Sequence, residues 1–113
     1  MSVIDVIKKY IESFDEITVE RFNILYNLLV ESTTQEIDEK LWARIPSIYC
    51  GKNFVRLIPF KDHINIEAKE ILTYQDRLQG YKITPKGMLQ IDHKQELPRE
   101  ILKIVFKESL ETE

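Results

Sequence analysis

The sequence predicts an α+β domain in which helices cover one face of a mainly antiparallel, twisted sheet. Apolar residues recur at three- and four-residue steps near both ends of the chain, the spacing of amphipathic helices, but alternate with other residues between positions 53 and 68. A length of 113 residues suits one domain with one core. We therefore expect a two-layer α/β sandwich over residues 1–113, with an N-terminal helix pair and a C-terminal helix on one face.

Two helices are predicted at the N-terminus. From Met1 to Phe14 the apolar side chains follow helical spacing, and the pattern resumes at Val19. Thr18 stands where an N-cap is expected, because its hydroxyl can accept a hydrogen bond from a free backbone N–H. The second helix is predicted to end at residues 32–34, before a short turn over 35–39.

The apolar period changes to two after residue 40. We expect a first short strand over 41–45 that Pro46 ends or leaves at an edge, because proline cannot donate a hydrogen bond to a neighbouring strand. Residues 49–52 indicate a strand end and a turn. The segment 53–60 then has apolar side chains on both faces, which predicts a central strand.

The remaining elements are predicted from shorter patterns. A two-residue connection, Lys61-Asp62, would make residues 63–68 the antiparallel partner of the central strand. A short helix is predicted over 69–78, capped by Gly80, and strands over 81–83 and 87–91 flank a turn at 84–87. His93 is expected to be exposed. Pro98 is predicted to open a last helix, and residues 108–113 are expected to fray.

Charge is distributed unevenly along the chain, whose net charge is −3. Residues 1–39 carry nine acids and three bases, whereas residues 40–107 carry thirteen bases and seven acids. We expect one acidic and one basic region on the folded surface. A nucleic-acid partner is not expected, because such proteins normally carry a basic stripe with exposed aromatic side chains.

Several classes of function have no support in the sequence. No apolar run approaches the roughly 20 residues that span a bilayer, so we expect a cytoplasmic protein without a membrane partner. The single cysteine, Cys50, excludes an internal disulfide and a CxxC motif. No Gly-rich phosphate loop, Ser/His/Asp order or HExxH motif is present, so we expect no enzyme activity.

Four short segments occur in a fixed order along the chain. They are Trp42-Ala43-Arg44-Ile45-Pro46 with Tyr49, Asn53 to Phe60 followed by Lys61-Asp62-His63-Ile64, Gly80-Tyr81-Lys82 with Lys86-Gly87, and Leu97-Pro98. In this order they resemble the YdhG-like family of small bacterial domains, which is largely of unknown function and often described as frataxin-like. Two departures from the family pattern are Ala43, where glycine is common, and Asn65-Ile66-Glu67-Ala68, where an aromatic residue and a proline usually follow.

The resemblance implies a twisted sheet with the terminal helices on one face, and a frataxin-like iron chaperone that delivers Fe(II) to iron–sulfur or haem assembly proteins. Such delivery uses surface carboxylates, hard oxygen ligands that hold Fe(II) weakly. Acids near helix starts also serve the helix dipole and solubility, which is the alternative interpretation. The candidate iron ligands are Asp15, Glu16, Glu36, Asp38 and Glu39.

A second group of side chains suggests a different function, a small-ligand or protein-interaction module on the exposed sheet face. Its aromatic and cationic side chains are the ingredients of a pocket for a small anionic ligand. The alternative is structural: Trp42 and Tyr49 pack on the sheet, Arg56 pairs with Glu67, and His63 bonds its neighbours. In either case we expect a monomer or a weak dimer. The candidate ligand-binding residues are Trp42, Tyr49, Arg56, His63 and Lys86.

Overall fold

The computed structural model describes residues 3–112, and their side chains from residue 6 onward. The predicted helix start at Met1 and the last residue of the predicted frayed end, Glu113, lie outside this range. The elements are α1 (Val3–Glu12), α2 (Glu16–Glu31), β1 (Asp38–Trp42), β2 (Ile45–Cys50), β3 (Asn53–Pro59), β4 (His63–Ala68), a 3₁₀ helix (Leu72–Arg77), β5 (Lys82–Ile83), β6 (Leu89–Asp92) and α3 (Arg99–Glu111).

The six strands form one antiparallel, open sheet in the order β1-β2-β3-β4-β6-β5. The α+β class with an antiparallel sheet and helices is therefore as predicted. β3 is an interior strand, and β4 is its partner through the turn at Lys61-Asp62, where the Phe60 N–H donates to the His63 carbonyl at 2.8 Å. No helix among the described residues is long and apolar enough to cross a membrane.

The hydrophobic core lies between one face of the sheet and the helices. Strand alternation sends every second side chain to this face, and helices α2 and α3 contact β3 and β4 there. Helix α1 packs beside them on α2 and β1. Buried side chains that are at most 1% exposed include Phe22, Leu25, Leu29, Ile48, Val55, Leu57, Ile64, Ile66, Leu89, Ile91, Leu102, Val105 and Phe106.

The prediction of one strand over residues 41–45 is wrong, because a hairpin turn at residues 43 and 44 divides this segment between two strands. Leu41 and Trp42 end β1, and β2 begins at Ile45. Ala43 and Arg44 form the turn with φ of 49° and 67°. Such turns usually contain glycine or asparagine, which adopt positive φ readily, and this turn has neither, so the sequence does not signal it. Pro46 lies inside β2, where it is tolerated because pairing with β3 begins one residue later.

Three predicted helix features also differ. Thr18 is not an N-cap: α2 begins at Glu16, and Thr18 lies buried in its first turn. The short helix predicted over 69–78 is a 3₁₀ helix confined to Leu72–Arg77. The chain does not fray from residue 108, because α3 continues to Glu111.

The end of α3 is held by side chains from the sheet and the loop after it. Asn53 Nδ2 donates to the carbonyls of Leu110 at 2.9 Å and Thr112 at 3.0 Å. The Lys69 ammonium donates to Asn53 Oδ1 at 2.8 Å and also to the Thr112 carbonyl. Because the last carbonyls of a helix have no partner within it, these contacts satisfy groups that would otherwise need water.

Candidate functional site

The candidate site lies on the sheet face opposite the core. The strand registers place Lys40, Ser47, Arg56 and Glu67 in one row across β1 to β4, since each pairs with the next. Their neighbours along each strand, such as Val55 and Leu57, are buried on the helix side. Strand parity therefore places the whole row on the other side of the sheet.

Arg56 is the centre of this site and is only 7% exposed. Its Nε donates to Ser47 Oγ at 3.1 Å, and its Nη2 donates to the Tyr49 hydroxyl at 2.9 Å. Its Nη1 donates to Glu67 Oε1, also at 3.1 Å, which makes an ion pair across adjacent strands. A buried guanidinium is tolerated when it is paired and hydrogen-bonded in this way.

Aromatic rings enclose the same guanidinium. The Arg56 Cζ atom lies 4.3 Å from the ring centroid of Trp42 and 3.8 Å from that of Phe54. Both distances are within the range of cation–π attraction. The Trp42 side chain is nevertheless 53% exposed, so the indole shields Arg56 and still presents part of its surface to solvent. We call Trp42, Tyr49, Phe54, Arg56 and Glu67 the Trp42–Arg56 cluster.

The structure brings together three of the five predicted ligand-binding residues: Trp42, Tyr49 and Arg56. His63 lies four positions from Glu67 along β4, a separation of about 13 Å at the strand rise. Lys86 is exposed in the turn between β5 and β6, at the sheet edge opposite β1. These five residues therefore do not line one compact pocket.

His63 has its own local partners. Its Nδ1 lies 2.6 Å from Asp62 Oδ1, and its ring stacks on Phe60 with centroids 4.4 Å apart. The hydrogen bond from His63 lowers the pKa of the Asp62 carboxyl. Phe60 is 40% exposed, so this pair forms a second aromatic feature at one end of the sheet.

The predicted iron ligands are spread over two places. Asp15 and Glu16 lie at the junction of α1 and α2, while the other three lie before or within β1. Asp38 and Glu39 are consecutive in β1 and so point to opposite faces of the sheet. Among residues 3–112, no group of three or more His, Cys, Asp or Glu side chains is placed to hold a metal ion.

Glu39 is partly buried on the helix side of β1, where it accepts a hydrogen bond from the Tyr26 hydroxyl. Burial, and then the hydrogen bond to Glu39, raise the pKa of the Tyr26 phenol well above its ordinary value. This carboxylate is already engaged by the fold. Asp15, Glu16, Glu36 and Asp38 are exposed.

Two features of the structure were missed from the sequence. Phe54 belongs to the Trp42–Arg56 cluster, and its position two residues before Arg56 on the same strand face could have indicated this. His93 is not exposed as predicted: it is half-buried, with Nε2 2.9 Å from the hydroxyl of Thr18. No local pattern links these two residues, which are 75 positions apart.

A surface cavity of about 640 Å³ lies away from the cluster, at the end of the sheet near α3. Cys50 lines it, and the Cys50 thiol donates to Gln35 Oε1 at 3.1 Å. Within the described part of the chain the thiol has no histidine or carboxylate hydrogen-bond partner, so these residues form no nucleophile–base pair there.

Comparisons of the chain with models of protein families, with curated proteins and with solved structures give no match.

Proposed function

We propose that this protein is a non-enzymatic binding module that docks a partner protein on the open sheet face around the Trp42–Arg56 cluster. One observation carries the proposal: the Trp42 indole is 53% exposed although it is held against the guanidinium of Arg56 at 4.3 Å. Tryptophan, tyrosine and arginine are the residues most often responsible for binding energy at protein interfaces. An indole that is already held in place loses little side-chain entropy when a partner covers it.

The cluster favours a protein surface over a small anion. Three of the five N–H groups of Arg56 are engaged, and its charge is paired with Glu67. An anion would have to displace Glu67 or move Trp42, at the cost of the contacts that support the buried charge. In this proposal Trp42 provides the contact surface, and Arg56 keeps the indole in position.

Fluorescence offers a direct test, because Trp42 is the single tryptophan of the chain. Soluble fractions of a bacterial extract are titrated onto the protein, and a binding fraction is expected to shift the Trp42 emission and raise the melting temperature. A partner at a hundred times its Kd adds about 2.7 kcal/mol to the free energy of unfolding. Purification of that partner then gives a Kd.

Matched variants separate this site from other exposed apolar groups. Trp42→Ala is expected to weaken the purified complex by about 2 kcal/mol or more. Leu72→Ala, at a residue that is 54% exposed on the 3₁₀ helix, is the control and should leave Kd unchanged. Equal affinity of wild type and Trp42→Ala would reject the sheet face as the docking site.

A second candidate function, Fe(II) binding and donation, is supported by the resemblance to the YdhG-like and frataxin-like domains and by four exposed carboxylates. In this proposal Asp15, Glu16, Glu36 and Asp38 bind iron loosely and release it to iron–sulfur or haem assembly proteins in the cytoplasm. We also propose that the helices and strands are arranged as in frataxin-like domains, which is supported by the resemblance and by the packing of helices on an antiparallel sheet.

Anaerobic calorimetric titration with Fe(II) tests the second function. Binding tighter than millimolar that is lost in Glu36→Gln/Asp38→Asn or in Asp15→Asn/Glu16→Gln would support it. Glu96→Gln/Glu100→Gln is the charge-matched control, near the start of α3. Binding that is absent, or equally reduced in all three variants, would reject specific iron binding at these carboxylates.

A further inference from the structure

His93 connects three segments of the fold at one end of the sheet. It follows β6 directly, and its Nε2 atom lies 2.9 Å from Oγ1 of Thr18 in the first turn of α2. Its backbone N–H donates to the carbonyl of Asp62, in the turn between β3 and β4, at 3.0 Å. Thr18 is fully buried, so the contact between α2 and His93 is closed to solvent on the helix side.

Arg21 makes a second connection between α2 and the same turn. Its Nη2 donates to the carbonyl of Gln95 at 2.5 Å and, more weakly, to that of Asp92 at 3.4 Å. Because Arg21 lies three residues after Thr18, both side chains project from one side of α2. We call Thr18, Arg21 and His93 the α2 latch, since their polar contacts join α2 to the turn after β6.

The closed latch favours a neutral imidazole over an imidazolium. The Nδ1 atom of His93 is buried, and among residues 3–112 it has no hydrogen-bond partner. In the neutral ring this leaves one nitrogen unsatisfied, whereas an imidazolium would place a positive charge in this half-buried position, where the Phe60 carbonyl offsets the cost only in part. A cationic ring would therefore be disfavoured in this half-buried position.

Charged groups of both signs surround the His93 ring, but together they do not offset the effect of burial on its pKa. Arg21 faces it from α2, Asp62 from the β3–β4 turn and His63 from β4, while Asp92 belongs to its own strand. Burial and then Arg21 lower the pKa of His93, against the opposing effects of the Phe60 carbonyl and Asp92. The net direction favours the neutral ring in the closed latch.

We propose that the α2 latch is a proton-operated switch, in which protonation of His93 releases the first turn of α2 from the turn after β6. In the open form the ring reaches water, and its pKa is near the ordinary value of imidazole. In the closed form the pKa of the ring is lower. Lower pH therefore favours the open form, by up to about tenfold per pH unit until the closed form is also protonated. Opening would loosen α1 as well, because α1 packs on α2.

Amide hydrogen exchange measures this opening directly. Exchange rates are compared at pH 7.5 and pH 5.0 after correction for the intrinsic effect of pH. The wild-type amides of residues 19–22 are expected to lose protection at pH 5.0, by up to about tenfold for each unit by which the closed latch lowers the His93 pKa, while those of residues 102–106 in α3 keep theirs. An NMR titration of the two imidazoles should give a lower pKa for His93 than the ordinary value of about 6.5.

Two substitutions at the latch have opposite expected effects. In His93→Gln the side-chain amide can still donate to Thr18 but cannot gain a charge, so protection of residues 19–22 should be the same at both pH values. Thr18→Val removes the hydroxyl without changing the shape of the side chain, so protection should be low even at pH 7.5. His63→Gln is the control, because it removes the other histidine at this end of the sheet and should leave the wild-type pH dependence in place.

Three results would overturn the switch. One is a His93 pKa at or above the ordinary value in the wild-type titration. Another is a loss of protection at pH 5.0 that is the same in His93→Gln as in wild type. The last is a loss of protection that follows His63, disappearing in His63→Gln. The wild-type titration needs no substitution, so it decides the matter even if a variant fails to fold.

Discussion

The guanidinium carbon of Arg56 lies 4.3 Å from the centroid of the Trp42 indole, although the two residues belong to strands separated by β2. They meet because Arg56 pairs with Ser47 and Ser47 pairs with Lys40, two positions before Trp42 on the same face of β1. The long arginine side chain can reach this diagonal neighbour across the sheet. The interaction places a buried charge beneath an exposed aromatic ring.

The ion pair between Arg56 and Glu67 should contribute to stability. The arginine side chain is 8% exposed and the glutamate 35%, so replacing the glutamate leaves a nearly buried charge without its partner. We expect Glu67→Gln to lower the free energy of unfolding by about 1–2 kcal/mol, less than for a fully buried pair because water reaches Glu67. Urea unfolding of Glu67→Gln, Arg56→Met and the double variant measures the coupling. Strictly additive losses would show that the pair contributes nothing.

The hairpin turn at Ala43 and Arg44 should be improvable. Arg44 has φ of 67°, a left-handed conformation that costs an ordinary residue free energy. Arg44→Gly is expected to raise the free energy of unfolding by about 0.5–1 kcal/mol. Gly51→Ala is the reverse control: this glycine has φ of 61° and open space around it, so alanine there should cost about 1 kcal/mol through the backbone alone. The same sign for both variants in thermal unfolding would contradict the argument.

Asn53 should be a stabilising residue although it is a half-exposed amide at the start of β3. Its Nδ2 donates to the carbonyls of Leu110 and Thr112, which end α3. Asn53→Ala removes both hydrogen bonds, and we expect a loss of about 1–2 kcal/mol. Amide exchange should rise in the last turn of α3 but not in its first. Lys52→Ala, at the exposed neighbouring residue, is expected to be nearly neutral; an equal loss there would point to the β2–β3 turn instead.

The raised pKa of Tyr26 predicts a loss of stability in alkali. The phenol of the unfolded chain ionises near pH 10.0, whereas burial and Glu39 keep it protonated in the fold. The stabilisation is therefore complete below pH 10 and is lost as the pH rises above it. Unfolding by urea at pH 9 and pH 11 should show a smaller pH dependence in Tyr26→Phe, which cannot ionise.

Glu39→Gln provides a control for the Tyr26 prediction, because it keeps an acceptor for the hydroxyl but removes the negative charge. The pH dependence should then lie between those of wild type and Tyr26→Phe. A spectroscopic titration of the phenols must also show one fewer late-ionising tyrosine in Tyr26→Phe. The same alkaline loss in wild type and Tyr26→Phe would assign the effect to other groups.

The elements that were predicted well are those whose signal is local and periodic. Strand β4 was predicted with the bounds that the structure has, and β3 to within one residue, because alternation of apolar side chains extends over their whole length. The hairpin at Ala43 and Arg44 was missed because neither residue type marks a left-handed turn. Pro46 then suggested a strand end, although its missing N–H falls where no partner strand requires it.

The candidate site was predicted in part for a similar reason. The pairing of Arg56 with Glu67 followed from strand parity and a two-residue turn, both of which are local. Placing His63 and Lys86 in the same pocket was not supported. His63 lies four positions from Glu67 along β4, and Lys86 lies at the far edge of the sheet, a position that depends on strand order rather than on residue type. His93 was expected to be exposed because its sequence neighbours are charged, and charge in the sequence does not reveal what another segment covers.

The sequence by itself determined which side chains are apolar on a period of two or 3.6, and hence that helices must cover one face of an antiparallel sheet. Only the tertiary structure decided which side chains from remote segments meet, such as Arg56 with Trp42 and His93 with Thr18. The physical reason is that hydrophobic burial is non-directional and is encoded in local periodicity, whereas hydrogen bonds and cation–π contacts need specific distances between segments remote in the chain.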